Sequence, residues 1–145
     1  MNFKGKRVYV AGPWWTEEMM TRIQDVEKVL IDNDCKMFRP RIDGPDLGPN
    51  ATEEDRTRAF KDNVDNIANS DFIVAITDGK DVGTIFEAGY AYGMNVPVIY
   101  FCNSLPEGAT FNVMLAKSGY SVALSFEDLD KIIKGEKIDY KGLIR

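Results

Sequence analysis

The feature that most constrains the fold is a regular alternation of short β-rich runs with longer segments of helical periodicity. Five runs rich in Val, Ile, Phe and Tyr predict strands, at residues 7–11, 36–39, 71–77, 96–101 and 120–124. Helices are predicted at residues 16–33, 52–69, 84–93, 111–117 and 125–134. Strands that alternate with helices predict an α/β fold, in which a parallel sheet is covered on both faces.

Right-handed crossovers make a doubly wound, three-layer α/β/α sandwich the expected architecture, in one domain spanning residues 1–145. Strand order 2-1-3-4-5 is the common arrangement for five strands. Its ligand crevice lies beyond the carboxyl ends of strands one and three, where the order reverses. The segments at that crevice are residues 12–15 and 78–87. Residues 40–51, which contain several prolines and glycines, predict a loop with little regular structure.

Composition removes several mechanisms. The chain has no histidine and two cysteines. It can therefore form no Ser-His-Asp or Cys-His nucleophile. It also lacks the ligands for a zinc site of histidine and cysteine. Carboxylate, tyrosine, lysine and thiol groups remain available for acid, base or nucleophile chemistry. We therefore expect any catalysis to use these groups, without a bound metal.

Charge and hydropathy indicate where such a chain works. The net charge of -5 argues against binding to a nucleic acid polymer, which usually requires a basic face. No segment approaches the ~20 apolar residues of a membrane helix, and the N-terminus lacks the apolar core of a signal peptide. Two distant cysteines indicate reduced thiols in a cytoplasmic protein, although one disulfide between them stays open.

Two carboxylates in the predicted crevice are candidates for chemistry. Asp81 lies in the turn after strand three, and Glu87 lies in the first turn of the next helix, where the helix dipole favours an ionised carboxylate. An ionised carboxylate beside a bound sugar could attack the anomeric carbon, as in a retaining glycosidase. The structural alternative, which spacing alone favours, is that Thr84-Ile85-Phe86-Glu87 forms a capping box.

Aromatic and thiol side chains near the crevice have structural alternatives of the same kind. Tyr9 lies on strand one, beside strand three, so its hydroxyl could reach the crevice or could belong to the core. Trp14 and Trp15 could stack on a flat base or pack over the edge of the sheet. Cys102, at the end of strand four, has no cationic neighbour in the sequence that would lower its pKa and make it a nucleophile.

Three segments of the chain combine into a known pattern. They are YVAGPWW at residues 9–15, DVGTIFEAGYA at residues 81–91 and FNVMLA at residues 111–116. Together they resemble the nucleoside 2-deoxyribosyltransferases, which pass the deoxyribosyl group of a 2'-deoxynucleoside to another base. The resemblance runs in order through nearly the whole chain, and the second segment is its most specific part.

The resemblance implies a flavodoxin-like fold, no cofactor, and a deoxynucleoside and a free nucleobase as small-molecule partners. Glu87 would be the nucleophile that forms a covalent deoxyribosyl-enzyme, and Tyr9 would orient it. Asp81 would accept hydrogen bonds from sugar hydroxyls, chiefly the 5'-hydroxyl. Asn112 would complete the neighbouring subunit's site in a dimer-based homo-oligomer such as a hexamer. Gly12, with the two tryptophans, would belong to the substrate-binding segment.

Two positions depart from the family's pattern. Asn63 stands where the family usually has an acid, and an amide can bind a substrate but cannot protonate a leaving base. Arg145 ends the chain, where the family often has an aromatic residue. In the loop after strand two, Asp43 is the candidate that would contact the base, with a turn-forming role as the alternative.

Asp81 also favours a nucleoside over a nucleotide as the substrate. Relatives that hydrolyse nucleoside 5'-monophosphates carry a small hydroxyl residue there. A carboxylate would repel a phosphate by about 4 kcal/mol per charge pair at ~4 Å and an effective dielectric of about 20. The function that the resemblance implies is base exchange in nucleoside salvage. The alternatives are hydrolysis of nucleosides or nucleoside 5'-monophosphates by the same fold, and a non-catalytic nucleotide-binding module.

Overall fold

The computed structural model describes all residues, 1–145, and contains one parallel sheet with strand order β2-β1-β3-β4-β5. The strands are β1 (Arg7–Ala11), β2 (Lys36–Phe38), β3 (Phe72–Ile76), β4 (Val98–Phe101) and β5 (Ser121–Ala123). The helices are α1 (Glu17–Asp32), α2 (Pro40–Asp43), α3 (Glu53–Ala68), α4 (Val82–Gly93), α5 (Val113–Ser118) and α6 (Phe126–Ile133). The predicted flavodoxin-like order and three-layer α/β/α arrangement are confirmed.

Alternating side chains along the strands divide the core into two layers. On β1, Val8 and Val10 pack with buried residues of α1 and α6. Tyr9 and Ala11 pack on the opposite face, with buried residues of α3 and α4. Because successive side chains of a strand point to opposite faces, this register directs the Tyr9 side chain toward the layer that contains α4.

The start of α4 differs from the prediction. The N-cap is Asp81, whose Oδ2 accepts hydrogen bonds from Thr84 N at 3.0 Å and from Thr84 Oγ1 at 2.9 Å. The helix therefore begins at Val82, and Thr84 lies inside its first turn. The structural alternative, in which Thr84 and Glu87 form a capping box, is wrong, because Asp81 is the N-cap of this helix. Glu87 is left free for another contact.

The predicted loop at residues 40–51 is partly helical. Pro40–Asp43 forms the short helix α2. Pro40 suits its first position, because the N–H that proline lacks would have no partner within the helix there. The Asp43 carboxylate accepts a hydrogen bond from the backbone N–H of Arg39 at 2.8 Å. The expectation of little regular structure is thus wrong for the first third of this segment.

Residues after α6 pack on the domain, where the sequence shows only a polar tail. The backbone N–H of Val122 donates to Ile138 O at 2.9 Å, and Phe111 pairs with Ile144 in a parallel bridge. The Tyr140 ring lies 5.1 Å from the Phe111 ring. Most of these attachments are backbone hydrogen bonds, which residue composition does not reveal. None of the helices has the length and apolar composition needed to cross a bilayer.

A buried ion pair ties α2 to α1. The Arg41 guanidinium donates to both carboxylate oxygens of Glu27, with an Nη2–Oε1 distance of 2.7 Å. The two side chains are only 9% and 6% exposed. Removing one partner of such a pair leaves a buried charge without compensation. Since Pro40 of the same short helix lines the cleft described below, this pair also holds one wall of that cleft.

We expect Glu27→Gln to lower the free energy of unfolding by about 3–5 kcal/mol, because Arg41 would stay buried without a counter-charge. Urea denaturation at pH 7 measures this loss. Replacing both partners, in Glu27→Leu/Arg41→Met, should recover most of it. Asp32→Asn breaks the exposed Lys28–Asp32 pair of the same helix and, as the control, should change stability little. A Glu27→Gln loss no larger than that of the control would contradict the assignment.

Candidate active site

A cleft of about 250 Å³ opens at the carboxyl end of the sheet, where the strand order reverses. Its 11 lining residues come from the segments after β1, β2 and β3 and from helices α3 and α4. They are Gly12, Trp14, Trp15, Pro40, Phe60, Asn63, Val64, Asp81, Gly83, Phe86 and Glu87. The crevice predicted between residues 12–15 and 78–87 is therefore present, with α3 as a further wall.

The central contact of this cleft joins Tyr9 and Glu87. The Tyr9 hydroxyl donates a hydrogen bond to Glu87 Oε2, and the Tyr9 side chain is fully buried. Strand β1 supplies the tyrosine, and α4 supplies the carboxylate. This bond fixes one carboxylate oxygen and leaves Oε1 available for a partner in the cleft. The two residues that the sequence singles out for catalysis are thus in direct contact.

Burial controls the protonation of Glu87. The pKa of its carboxyl is raised from an ordinary 4.5 to about 7. Burial is the largest cause and raises the pKa. The Tyr9 hydrogen bond lowers the pKa, and the negative charge of Asp81 raises it. The expectation that the helix dipole holds Glu87 ionised is wrong. Because α4 begins at Val82, Glu87 lies beyond its first turn, where the dipole has little effect. Desolvation prevails instead.

Tyr9 stays protonated in this arrangement. Burial first, and then the negative charge of Glu87, raise the pKa of its hydroxyl well above the ordinary value of 10. The hydroxyl is therefore a permanent donor toward Glu87 at physiological pH. A permanent donor can orient a carboxylate without competing with it for a proton.

Asp81 connects the start of α4 with the segment after β1. While Oδ2 caps the helix, Oδ1 accepts a long hydrogen bond of 3.4 Å from the Trp15 indole N–H. The same carboxylate lines the cleft and raises the pKa of Glu87 through its charge. Asp81 therefore supports the geometry and the electrostatics of the site together.

Exposed aromatic rings make up much of the cleft wall. Trp14 and Trp15 lie with ring centroids 4.4 Å apart, and Phe60 and Phe86 lie 6.1 Å apart. Trp15, Phe60 and Phe86 are each more than half exposed, so the cleft presents large apolar surface that a ligand or a partner could cover. Such rings can stack on a planar ligand.

The sequence does not single out Phe60 and Phe86, although signals for both exist. Phe60, Asn63 and Val64 have the i, i+3, i+4 spacing of one helix face, and all three line the cleft. Phe86 directly precedes Glu87. Gly12 packs closely against Ile76 of β3: a Cβ at position 12 would lie 2.9 Å from Ile76 Cδ1 and 3.1 Å from Ile76 Cβ, so a larger residue would require the Ile76 side chain to shift.

Asn63, Asp43 and Asn112 lie in three different environments. Asn63 faces the cleft from α3, and its amide makes no hydrogen bond within the chain. Asp43 does not line the cleft and binds Arg39. Asn112 caps α5, accepting from Met114 N at 2.8 Å, and lines a separate cleft of about 530 Å³ that also contains Arg145. Contacts of Asp43 with a base and of Asn112 with a neighbouring subunit remain predictions.

The chain contains no cluster of three or more cysteine, aspartate or glutamate side chains placed to hold a metal ion. Both cysteines, Cys35 and Cys102, are free and buried. Burial, and then the charge of Asp78, raise the pKa of the Cys102 thiol. A thiol with a raised pKa is a poor nucleophile at neutral pH, in agreement with the sequence interpretation.

Comparison with known proteins identifies relatives of this arrangement. A family model described as nucleoside 2-deoxyribosyltransferase matches residues 8–124. A solved structure of a 2-deoxyribosyltransferase from Bacillus psychrosaccharolyticus is 25% identical, with a TM-score of 0.77 over 92% of this chain and 98% of that chain. No curated protein matches the sequence significantly.

Two further solved structures share the fold at lower identity. A conserved protein from Enterococcus faecalis V583 is 19% identical, with a TM-score of 0.57 over 97% of this chain and 90% of that chain. A CMP N-glycosidase from Clostridium botulinum is 17% identical, with a TM-score of 0.58 over 88% of this chain and 98% of that chain. At these identities the likeness concerns the fold alone.

We expect the Glu87 carboxyl to titrate with a midpoint of about pH 7, well above an ordinary glutamate. Carbon-13 NMR of the side-chain carboxyls measures it. Tyr9→Phe should move the midpoint to higher pH, because the carboxylate loses a donor. Asp81→Asn keeps a capping side chain but removes a negative charge, so it should move the midpoint lower. A wild-type midpoint below pH 5 would contradict this description of the site.

Proposed function

The chain belongs to the nucleoside 2-deoxyribosyltransferase family, and we propose that it exchanges the base of a 2'-deoxynucleoside through a covalent deoxyribosyl-Glu87 intermediate. The observation that carries the proposal is the contact of the buried Tyr9 hydroxyl with Glu87 beside an aromatic-lined cleft. A carboxylate oriented in this way has the geometry of a nucleophile at an anomeric carbon.

The proposed reaction has two displacements. One oxygen of Glu87 attacks C1' of the bound nucleoside, while the bond from C1' to the base breaks and its electron pair stays with the base. A nitrogen of the second base then attacks C1', the bond from C1' to the Glu87 oxygen breaks, and the proton of that nitrogen passes to solvent. Two inversions retain the anomeric configuration. The Tyr9 hydroxyl holds the other oxygen throughout. A pKa of about 7 leaves a large fraction of Glu87 ionised at neutral pH, which the first step needs.

Asp81 supports a nucleoside as the substrate. Its Oδ1 makes only a long bond to Trp15, so it retains capacity to accept a hydrogen bond from a 5'-hydroxyl. A 5'-phosphate at ~4 Å would instead be repelled by about 4 kcal/mol per charge pair. This repulsion exceeds the gain of about 1 kcal/mol from one ordinary hydrogen bond. Hydrolysis of nucleoside 5'-monophosphates is therefore the less favoured candidate.

The aromatic wall supports transfer over hydrolysis. Base–aromatic stacking contributes about 1–3 kcal/mol per base in proteins that bind single-stranded nucleic acids. Trp14 and Trp15, together with Phe60 and Phe86, offer stacking surface for an acceptor base. An acceptor held there would displace water from the neighbourhood of the intermediate, so the second displacement would favour the base.

A homo-oligomer with shared sites is the proposed assembly. Support comes from exposed apolar side chains on α4 and α5, among them Ile85, Tyr92 and Met114. A second subunit could cover them. In this arrangement Asn112 of each chain completes the cleft of its neighbour.

A mixture of Glu87→Gln and Asn112→Ala chains should then recover activity that neither variant has alone.

The decisive assay incubates the protein with a 2'-deoxynucleoside, with and without a second free base, and separates the products by chromatography. We expect a new nucleoside only when the second base is present. Glu87→Gln should abolish its formation, because an amide cannot form the intermediate, whereas Glu54→Gln on exposed α3 surface is the matched control and should leave activity unchanged.

Each alternative function has its own outcome in this assay. Release of base without any new nucleoside would support the hydrolase. Binding of nucleosides without turnover, in both wild type and Glu87→Gln, would support the non-catalytic binding module.

A further inference from the structure

The Asp81 carboxylate receives one more hydrogen bond than the cap of α4 requires. Its Oδ2 accepts from the backbone N–H of Thr84 at 3.0 Å and from the Thr84 hydroxyl at 2.9 Å. The bond to the backbone N–H is the one by which an N-cap side chain stabilises a helix. Thr84 is only 1% exposed, so its hydroxyl is shielded from solvent. The hydroxyl bond is therefore additional to the cap.

This additional bond restricts the rotation of the carboxylate. The terminal torsion of an aspartate side chain has a broad, two-fold energy profile, so one donor alone leaves the two oxygens free to tilt or to exchange places. Two donor atoms at different positions on Oδ2 narrow that torsion. Oδ1 is then held in one direction, toward Trp15, which lines the cleft as Asp81 does.

The second carboxylate oxygen, Oδ1, is the one that a ligand can use. Its contact with the Trp15 indole N–H is long, at 3.4 Å, and Trp15 is 64% exposed. A carboxylate oxygen has two lone pairs, so Oδ1 can accept a further hydrogen bond from a bound hydroxyl. Such a bond is charge-assisted, and it weakens steeply when its angle is poor. The direction of Oδ1 therefore decides how strongly it binds.

We propose that Thr84 is a positioning residue, whose hydroxyl turns Asp81 Oδ1 toward the 5'-hydroxyl of the bound nucleoside and so sets the discrimination in favour of substrates that carry this hydroxyl. This inference rests on the proposed function. Thr84 itself does not line the cleft and acts through Asp81. A sugar anchored at its 5' end is held in one orientation for the attack on C1'.

Two pairs of donor substrates test the inference. They are thymidine and 2'-deoxyadenosine, each beside its 5'-deoxy counterpart, which lacks only the 5'-hydroxyl. With acceptor base in excess, kcat/KM for the donor reports the first displacement, and chromatography of the released base measures it. For the wild type we expect kcat/KM to be at least about thirtyfold lower with the 5'-deoxy member, because a charge-assisted bond is lost.

Substitutions at position 84 separate the hydroxyl from the shape of the side chain. Thr84→Val keeps the shape and the backbone N–H but removes the hydroxyl, so kcat/KM should fall about tenfold with the 5'-hydroxyl substrate and change little with its 5'-deoxy counterpart. Thr84→Ser keeps the hydroxyl and should keep the wild-type discrimination. Thr57→Val, on the exposed surface of α3, is the matched control and should alter neither value.

An equal loss with both members of a pair would overturn the inference, because Thr84 would then support the fold or Glu87 and not the 5'-hydroxyl contact. Unchanged discrimination in Thr84→Val, or a loss in Thr84→Ser as large as in Thr84→Val, would also overturn it. A wild type that reacts equally with both members would do the same, while base exchange itself would stand. Absence of a new nucleoside from every donor would instead refute the proposed function.

Discussion

The rest of the site depends on the hydrogen bond from the buried hydroxyl of Tyr9 to Glu87. It requires β1 to lie beside β3 in a register that turns Tyr9 toward α4. It also requires α4, which begins at Val82 and packs against the same face of the sheet as Tyr9, to present Glu87. Asp81 sets that start by capping the helix. The register of β1 and the capped start of α4 are both set locally. Together they bring into contact two residues that lie 78 positions apart in the sequence.

Two opposing effects act on the Glu87 carboxyl at this contact: burial disfavours its ionised form, and the Tyr9 hydrogen bond favours it. Burial removes water from Glu87 and raises its pKa to about 7, and the Tyr9 donor offsets part of that effect. Stability and function therefore oppose each other here, as they often do at active sites. Because burial disfavours the ionised carboxylate, the folded state loses stability as the pH rises through the pKa of Glu87. In return the site obtains a poorly solvated carboxylate with a fixed direction.

The sequence predicts the sheet and the place of the cleft well, because both follow from hydrophobic period and from the connection rules of parallel sheets. Details that depend on competition between neighbouring groups are not predictable in this way. Thr84 and Asp81 are both good caps, and only the fold decides between them. The pKa of Glu87 depends on burial by residues distant in sequence. Phe60 has a helical pattern, but its exposure is visible only once α3 is packed.

A covalent nucleophile at Glu87 can be trapped as a glycosyl-enzyme. Intact-protein mass spectrometry after incubation with a 2-fluoro-arabinosyl nucleoside should show one added fluoropentosyl group, because the fluorine slows breakdown of the intermediate. Peptide mapping should place the group on Glu87, and Glu87→Gln should take up none. Release of base with no adduct, or with an adduct on another residue, would contradict the proposed role of Glu87 as the nucleophile.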